Sequence, residues 1–156
     1  MTRRIDTLLS EYGESHQNET NKMVHWICVP VIVWTVLALI HEIPNPGFFD
    51  AVPYLSWFTL LLALTLAYYV SLSVPLAVGF GVFGAICWWI ILLVEASVAL
   101  PLWQVALFVF IIAWIGQFWG HKIEGKKPSF FKDVQFLMIG PAWLMSFLFK
   151  KFGIAY

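Results

Sequence analysis

The sequence predicts an all-α integral membrane protein, a polytopic helical bundle in which the whole chain, residues 1–156, forms a single domain. Hydrophobic residues make up 61% of the chain and charged residues only 12%, and the mean hydropathy is +0.82. The apolar residues are concentrated in long runs, which excludes an ordinary soluble domain. Because the formal net charge is zero, the composition gives no electrostatic basis for binding nucleic acid.

The first predicted element is a short amphipathic helix over residues 4–15. Its apolar residues recur at helical spacing among acidic ones, and they are Ile5, Leu8, Leu9 and Tyr12. Such a helix lies on a membrane surface or packs over the ends of other helices. The polar stretch 17–21 follows, and we expect Thr20 or Asn21 to be the N-cap of the next helix.

Four transmembrane helices account for the long apolar runs. The first covers about residues 23–40, roughly the length that a hydrocarbon core requires. Residues 52–94 carry no charged side chain over about twice that length, so they must contain two helices. Pro75 places the turn between those two helices at residues 71–75. The fourth span covers residues 102–119.

The last apolar stretch, residues 134–149, is shorter than a span and contains Gly140-Pro141. We expect it to be a re-entrant or interfacial segment, or else a kinked fifth helix. A segment that does not cross the membrane fits its length better.

The distribution of lysine and arginine predicts the orientation. These residues precede the first span, follow the fourth and end the chain, whereas the connections 41–51 and 95–101 contain none. The positive-inside rule therefore places the N-terminus and the 121–132 loop in the cytoplasm. Four spans also keep Lys150 and Lys151 inside, which five full spans would not. We expect a multi-pass protein of a bacterial inner membrane, or of the endoplasmic reticulum in a eukaryotic source.

This topology brings three of the four histidines, His16, His25 and His121, to the cytoplasmic membrane face. His25 begins the first span and His121 follows the fourth, whereas His41 lies at the far end of the first span, roughly 24 Å away. On one continuous helix, His16 and His25 would point in opposite directions, about 13 Å apart along the axis. They can share a site only if the polar stretch 17–21 breaks the helix.

Neutral imidazole is the commonest metal ligand in proteins, and three of them with open positions beside them suit zinc, non-haem iron or copper. The sequence does not choose among these metals. Glu124 follows His121 by three residues, on the same helical face. It is a candidate for a fourth ligand, an acid–base group or an acceptor that fixes the tautomer of a ligand. Asn21 and Gln117 lie near the same membrane face and can orient substrate or water. We take Glu124 and Asn21 as the candidate catalytic residues.

Two motifs resemble those of the 2-hydroxy fatty acid dioxygenases, a small family of membrane proteins. The first runs from Tyr12 through His16, Asn21 and His25 to Trp26-Ile27-Cys28-Val29-Pro30. The second is Gln117-Phe118-Trp119-Gly120-His121-x2-Glu124-Gly125-Lys126-Lys127-Pro128. The later Gly140-Pro141 also matches, so the resemblance covers nearly the whole chain. Cys28 stands where the family pattern leads us to expect glycine.

The resemblance implies an iron(II)-dependent dioxygenase of fatty-acid α-oxidation. Fungal members of the family act at the endoplasmic reticulum and use O2 to shorten a 2-hydroxy fatty acid by one carbon. The expected cofactor is therefore Fe(2+), held by His16, His25 and His121. The expected partners are O2, a 2-hydroxy fatty acid and membrane lipid, with the acyl chain lying in lipid between the spans.

The residues themselves leave two other function classes open. A zinc-dependent membrane lipid hydrolase would use the same histidines without oxygen. A non-enzymatic lipid-binding membrane module would bind no metal. Transport is disfavoured because no ionisable residue falls at the centre of a span. Cys28 and Cys87 both lie in apolar runs and are predicted to be buried thiols rather than ligands or a disulfide.

Overall fold

The computed structural model describes residues 3–125 and 130–156, with the backbone alone for residues 130–137. Its α-helices are α1 (Arg4–Glu14), α2 (Glu19–His41), α3 (Trp57–Leu72), α4 (Val74–Ser97), α5 (Leu102–Glu124) and α6 (Phe130–Lys151). A short 3-10 helix, Gly47–Ala51, lies between α2 and α3, and the described residues contain no strand. The predicted all-α fold class is therefore confirmed. Lys126, Lys127 and Pro128 of the second motif lie outside the described residues.

Three helices, α2, α4 and α5, are long and apolar enough to cross a membrane, and α3 is a shorter apolar helix. These helices indicate that the protein associates with a membrane. The predicted turn within the long uncharged run is confirmed, because Ser73 separates α3 from α4. The Ser73 Oγ accepts a hydrogen bond from the Leu76 amide at 3.4 Å. Pro75 lies in the first turn of α4, where a missing N–H costs no helical hydrogen bond.

The amphipathic N-terminal helix is confirmed as α1, which packs against α6. Its buried residues are those of the predicted apolar face, namely Ile5, Leu8, Leu9 and Tyr12. They join a core cluster with the middle of α6, whose members there are Ile139, Ala142, Trp143 and Leu144. The buried face of α1 thus packs on the middle of another helix, and a position at the membrane surface stays a prediction.

The predicted C-terminal segment is part of a single longer helix. The predicted range 134–149 falls inside α6, and Pro141 lies within that helix. The described residues on either side of Pro141 are buried against α1 and α4. Whether α6 crosses a membrane stays a prediction.

The start of α2 differs from the prediction. Asn18 is the N-cap, and its side-chain oxygen accepts hydrogen bonds from the amides of Thr20 at 2.9 Å and Asn21 at 3.3 Å. The expectation of Thr20 or Asn21 as the cap was wrong, since both already lie in the first turn and donate to the cap. Asn18 satisfies two amides that have no partner inside the helix. The chain therefore breaks between α1 and α2, as the polar composition predicted.

Two glycines one turn apart let α5 approach α2 closely. A Cβ atom at Gly116 would lie 2.8 Å from the Sγ of Cys28, and one at Gly120 would lie 2.6 Å from the Oδ1 of Asn21. Both distances are too short for a real contact, so only glycine fits here. This is the small-xxx-small pattern by which apolar helices pack backbone to backbone. It fixes the end of α5 beside the start of α2.

Candidate metal centre

Three histidine side chains come together where α2 begins and α5 ends. His16 lies in the connection between α1 and α2, His25 on α2 and His121 on α5. One ligand atom from each side chain lies within 4.8 Å of the other two, so the group can hold a metal ion. The predicted convergence of these histidines is confirmed. Their role as ligands stays a prediction.

Hydrogen bonds fix how two of the imidazoles are protonated. The Nδ1 of His16 lies 2.6 Å from the carbonyl oxygen of Tyr12, and the Nδ1 of His25 lies 2.9 Å from that of Asn21. A carbonyl oxygen only accepts, so each Nδ1 carries the proton and donates it. The neutral ring then presents a lone pair at Nε2, which is the arrangement of a metal-bound histidine whose other nitrogen is held by the backbone.

The two Nε2 atoms face each other across the centre. They lie 2.9 Å apart, with the rings of His16 and His25 nearly perpendicular. Two lone pairs at this distance repel each other unless a proton or a metal ion lies close to both. The donor set, three imidazoles whose ligand atoms lie within 4.8 Å of one another, therefore fits a bound divalent transition metal.

Burial keeps the His16 imidazole of the centre uncharged. His16 and His25 are 3% and 1% exposed, whereas His121 is only partly buried. Loss of solvation on burial lowers the pKa of His16 to about 4, so its imidazole is neutral at neutral pH. A neutral imidazole keeps the lone pair that a metal requires.

Aromatic rings hold the His16 imidazole from one side. Tyr12 stacks on it with the ring centroids 4.1 Å apart and the planes 9° from parallel. The ring centroid of Trp143 on α6 lies 5.4 Å from that of the same imidazole and 5.3 Å from that of Tyr12. The sequence identified Tyr12 as part of a buried face, but it did not predict this contact. Tyr12 precedes His16 by four residues, and side chains at this spacing are neighbours on a helix, so the sequence did contain a signal for this contact.

Glu124 lies beside the centre and binds the connection that carries His16. Its Oε1 accepts a hydrogen bond from the amide of Gln17 at 2.8 Å. Its Oε2 accepts from the amide of Asn18 at 3.0 Å and from the Nδ2 of Asn21 at 3.0 Å. These contacts hold the backbone of the connection between α1 and α2, and the predicted roles of Glu124 as a ligand, an acid–base group or an acceptor that fixes a ligand tautomer stay predictions.

Asn21 is fully buried and connects the same parts of the molecule. Its backbone carbonyl accepts from His25, and its side-chain Nδ2 donates to Glu124. A single residue thus holds one imidazole and one carboxylate. Catalytic roles for Asn21 and Glu124 stay predictions.

The remaining predicted residues lie apart from the centre. The Nε2 of His41 is 3.4 Å from the Oε1 of Glu95, and its ring contacts that of Trp88, at the other ends of α2 and α4. The prediction excluded His41 from the site. Among the described residues, the group of side chains that could hold a metal does not include it. Cys28 and Cys87 are free thiols; Cys87 is buried, and Cys28 is partly buried.

Comparison with known proteins gives one match. The model of one family, described as Mpo1-like: 2-hydroxy-palmitic acid dioxygenase Mpo1-like, matches residues 2–152. No curated protein and no solved structure matches the chain. The matched range includes all three histidines of the centre as well as Asn21 and Glu124.

Proposed function

The chain belongs to the Mpo1-like family, and from that membership we propose that it is an iron(II)-dependent dioxygenase acting on 2-hydroxy fatty acids. The reaction converts the substrate with O2 to the fatty acid one carbon shorter. In the balanced equation, the carboxyl carbon leaves as CO2 and one molecule of water forms. The observation that carries the proposal is the convergence of His16, His25 and His121 in a chain of this family.

The three histidines would hold the iron. When bound, iron(II) supplies the redox chemistry that activates O2 and the positive charge that attracts a carboxylate. The donor set favours a transition metal with nitrogen ligands over magnesium or calcium, which prefer oxygen. Three protein ligands leave coordination positions for substrate and oxygen.

The surrounding residues position these ligands. The carbonyls of Tyr12 and Asn21 fix the tautomers of His16 and His25. The stacked ring of Tyr12 fixes the plane of the His16 imidazole and excludes water from that side. Glu124 and Asn21 fix the backbone on which His16 is carried. The protein's contribution is therefore a rigid, mostly buried centre.

We further propose that the protein is multi-pass, with the centre at the cytoplasmic face. The three long apolar helices, the shorter apolar helix α3 and the positive-inside rule support four spans, α2 to α5. The histidines lie where α2 begins and α5 ends, so all three share one membrane depth. A substrate carboxylate at that depth leaves its acyl chain in the hydrocarbon layer.

The test is an oxygen-dependent assay on the purified protein. A 2-hydroxy fatty acid labelled at the carboxyl carbon is supplied in air and under anaerobic conditions, and bound metal is quantified in the same preparation. We expect bound iron, labelled CO2 and the shortened acid in air, and no turnover without oxygen. His16→Ala, His25→Ala and His121→Ala should each abolish turnover, whereas the matched control His41→Ala should retain it.

Other results would contradict the proposal in distinct ways. Bound zinc with turnover that does not require oxygen would indicate the lipid hydrolase. A protein that binds no metal and functions normally after His16→Ala would be a non-enzymatic lipid-binding module. If turnover survives the loss of any one of the three histidines, that histidine is not a ligand.

A further inference from the structure

Gln117 is a buried polar residue one helical turn from His121, and its predicted role of orienting substrate or water has not yet been specified. It lies on α5 one turn before His121, and this spacing puts both side chains on the same face of the helix. Gly116 and Gly120, on either side of Gln117, are the residues that approach α2 at Cys28 and Asn21. Gln117 therefore lies on the part of α5 that packs against α2, one turn from His121.

The side-chain oxygen of Gln117 has no hydrogen-bond donor among the described residues. The residue is 7% exposed, and its Oε1 is buried without a partner in the part of the chain that the structure describes. A buried amide oxygen without a donor is unfavourable, and in native proteins such groups mark sites that a ligand or water completes. The Oδ1 of Asn21, across the helix interface, lacks a donor among the described residues as well. The region beside the centre is thus rich in acceptors.

The substrate can supply the hydrogen-bond donor that this region lacks. A 2-hydroxy fatty acid at neutral pH has a carboxylate, which only accepts, an acyl chain, which does neither, and one hydroxyl group, which donates. An ordinary fatty acid has no donor at all. An acceptor buried next to the position of the carboxylate can therefore distinguish the two acids through the hydroxyl.

We propose that the Oε1 of Gln117 accepts the hydrogen bond of the substrate's C2 hydroxyl and so selects 2-hydroxy acids over unsubstituted fatty acids. This inference rests on the proposed function, because it assumes that such an acid binds at the three histidines. Gln117 is then a substrate-binding residue. When an acid without the hydroxyl binds, the Oε1 of Gln117 stays buried and unpaired. A binding site with such an unpaired polar atom discriminates strongly against a substrate analogue that lacks the hydroxyl.

The test compares binding of two acids of equal chain length, one 2-hydroxylated and one unsubstituted, to the metal-loaded protein. Wild type should prefer the 2-hydroxy acid by about tenfold or more, the scale expected for one buried acceptor. Gln117→Met, similar in shape but without the oxygen, should bring the two dissociation constants close together by weakening the 2-hydroxy acid. Gln117→Glu keeps an acceptor oxygen and should keep the preference. Bound metal should stay at the wild-type level in both variants.

A matched control removes a buried hydroxyl on α2, ten residues after His25. Thr35 is fully buried and its hydroxyl donates to the carbonyl of Ile32, so Thr35→Val should leave the preference unchanged. A 2-fluoro fatty acid, which has a polar atom at C2 but cannot donate, tests the same point without a variant. It should bind wild type as weakly as the unsubstituted acid.

The possible failures are distinguishable. If wild type does not turn over the 2-hydroxy acid in air, the proposed function itself is wrong. If it does, and Gln117→Met keeps the full preference, the role of Gln117 is overturned while the function stands. Tight binding of the 2-fluoro acid to wild type would overturn that role even if Gln117→Met did not fold.

Discussion

The Nδ2 of Asn21 donates a hydrogen bond to the Oε2 of Glu124 at 3.0 Å, between residues that lie 103 positions apart. The same carboxylate accepts the backbone amides of Gln17 and Asn18. The end of α5 is therefore fastened to the connection that carries His16. Three hydrogen-bond donors fix the position of this carboxylate, and the carboxylate fixes the backbone beside His16.

Replacing Glu124 with alanine should loosen the centre more than it unfolds the protein. Each hydrogen bond to a charged group contributes about 1.5–3 kcal/mol when buried, but Glu124 is partly exposed, so we expect a total loss near the lower figure. Metal affinity should fall by about 10–100-fold, as for other residues that orient ligands. Thermal unfolding and metal titration measure the two effects.

The control for Glu124 is Glu95→Ala at the other end of the bundle. It removes a partly exposed carboxylate with one histidine partner, His41, and should leave metal affinity unchanged. Glu124→Gln should have an intermediate effect, since its amide nitrogen cannot accept from a backbone amide. Unchanged metal affinity in Glu124→Ala would contradict the positioning role.

Adding a methyl group at the α2–α5 contact should push the two helices apart. In Gly116→Ala and Gly120→Ala, the new Cβ would lie 2.8 Å from the Sγ of Cys28 and 2.6 Å from the Oδ1 of Asn21. Overpacking of this kind costs about 1–3 kcal/mol of unfolding free energy. Because His121 directly follows Gly120, metal affinity should fall as well.

Gly81→Ala on α4 is the matched control, since its Cβ would lie 3.7 Å from Leu66, an ordinary contact. Alanine favours helix over glycine by about 0.8–1.0 kcal/mol, so this variant should be as stable as wild type or more so. The double variant Gly116→Ala, Cys28→Ala removes the clashing sulfur and should recover most of the lost stability. If Gly116→Ala and Gly81→Ala behave alike, the close approach does not matter.

Removing the cap of α2 should destabilise the connection that carries His16. Asn18→Ala loses the acceptor for the amides of Thr20 and Asn21 and should cost about 1 kcal/mol. Asn18→Asp and Asn18→Ser keep a capping oxygen and should stay close to wild type. Thermal unfolding of the three variants under one detergent condition decides the matter, and equal losses in all three would contradict a capping role.

Removing the metal should lower stability, because the buried nitrogens of the centre then face one another without a cation. A ligand present at 100 times its dissociation constant stabilises the folded state by about 2.7 kcal/mol. A chelator should therefore lower the melting temperature of wild type but not that of His25→Ala. Iron(II) should restore both stability and turnover, and zinc should restore stability alone. A melting temperature that is insensitive to chelator would argue against a resident metal.

Much of the site could be predicted from the sequence, because the predicted spans assign each residue an approximate depth in the membrane. His25 and His121 stand at the ends of apolar runs that lysine and arginine orient alike, so their shared depth follows from hydropathy and charge. The polar residues after His16 predicted the break that lets His16 fold back beside His25. The buried face of α1 followed from helical spacing alone.

Hydropathy carries no information on which helix lies beside which, and this is why other features required the structure. The contact of α2 with α5 depends on Gly116 and Gly120, whose spacing the sequence displayed without naming a partner helix. The cap at Asn18 was missed by two or three residues, because several polar residues in a row are all plausible caps. The bond from Glu124 to Asn21 depends on side-chain geometry at this interface.

The sequence by itself determined an all-helical, membrane-associated chain with three histidines at one end, since apolar length and periodicity are local properties. Only the tertiary structure decided that the nitrogens of those histidines converge within 4.8 Å, that Glu124 faces the backbone of the α1–α2 connection, and that the oxygen of Gln117 is buried without a donor among the described residues. These depend on contacts between helices distant in the chain, which are set by side-chain shape and not by local pattern.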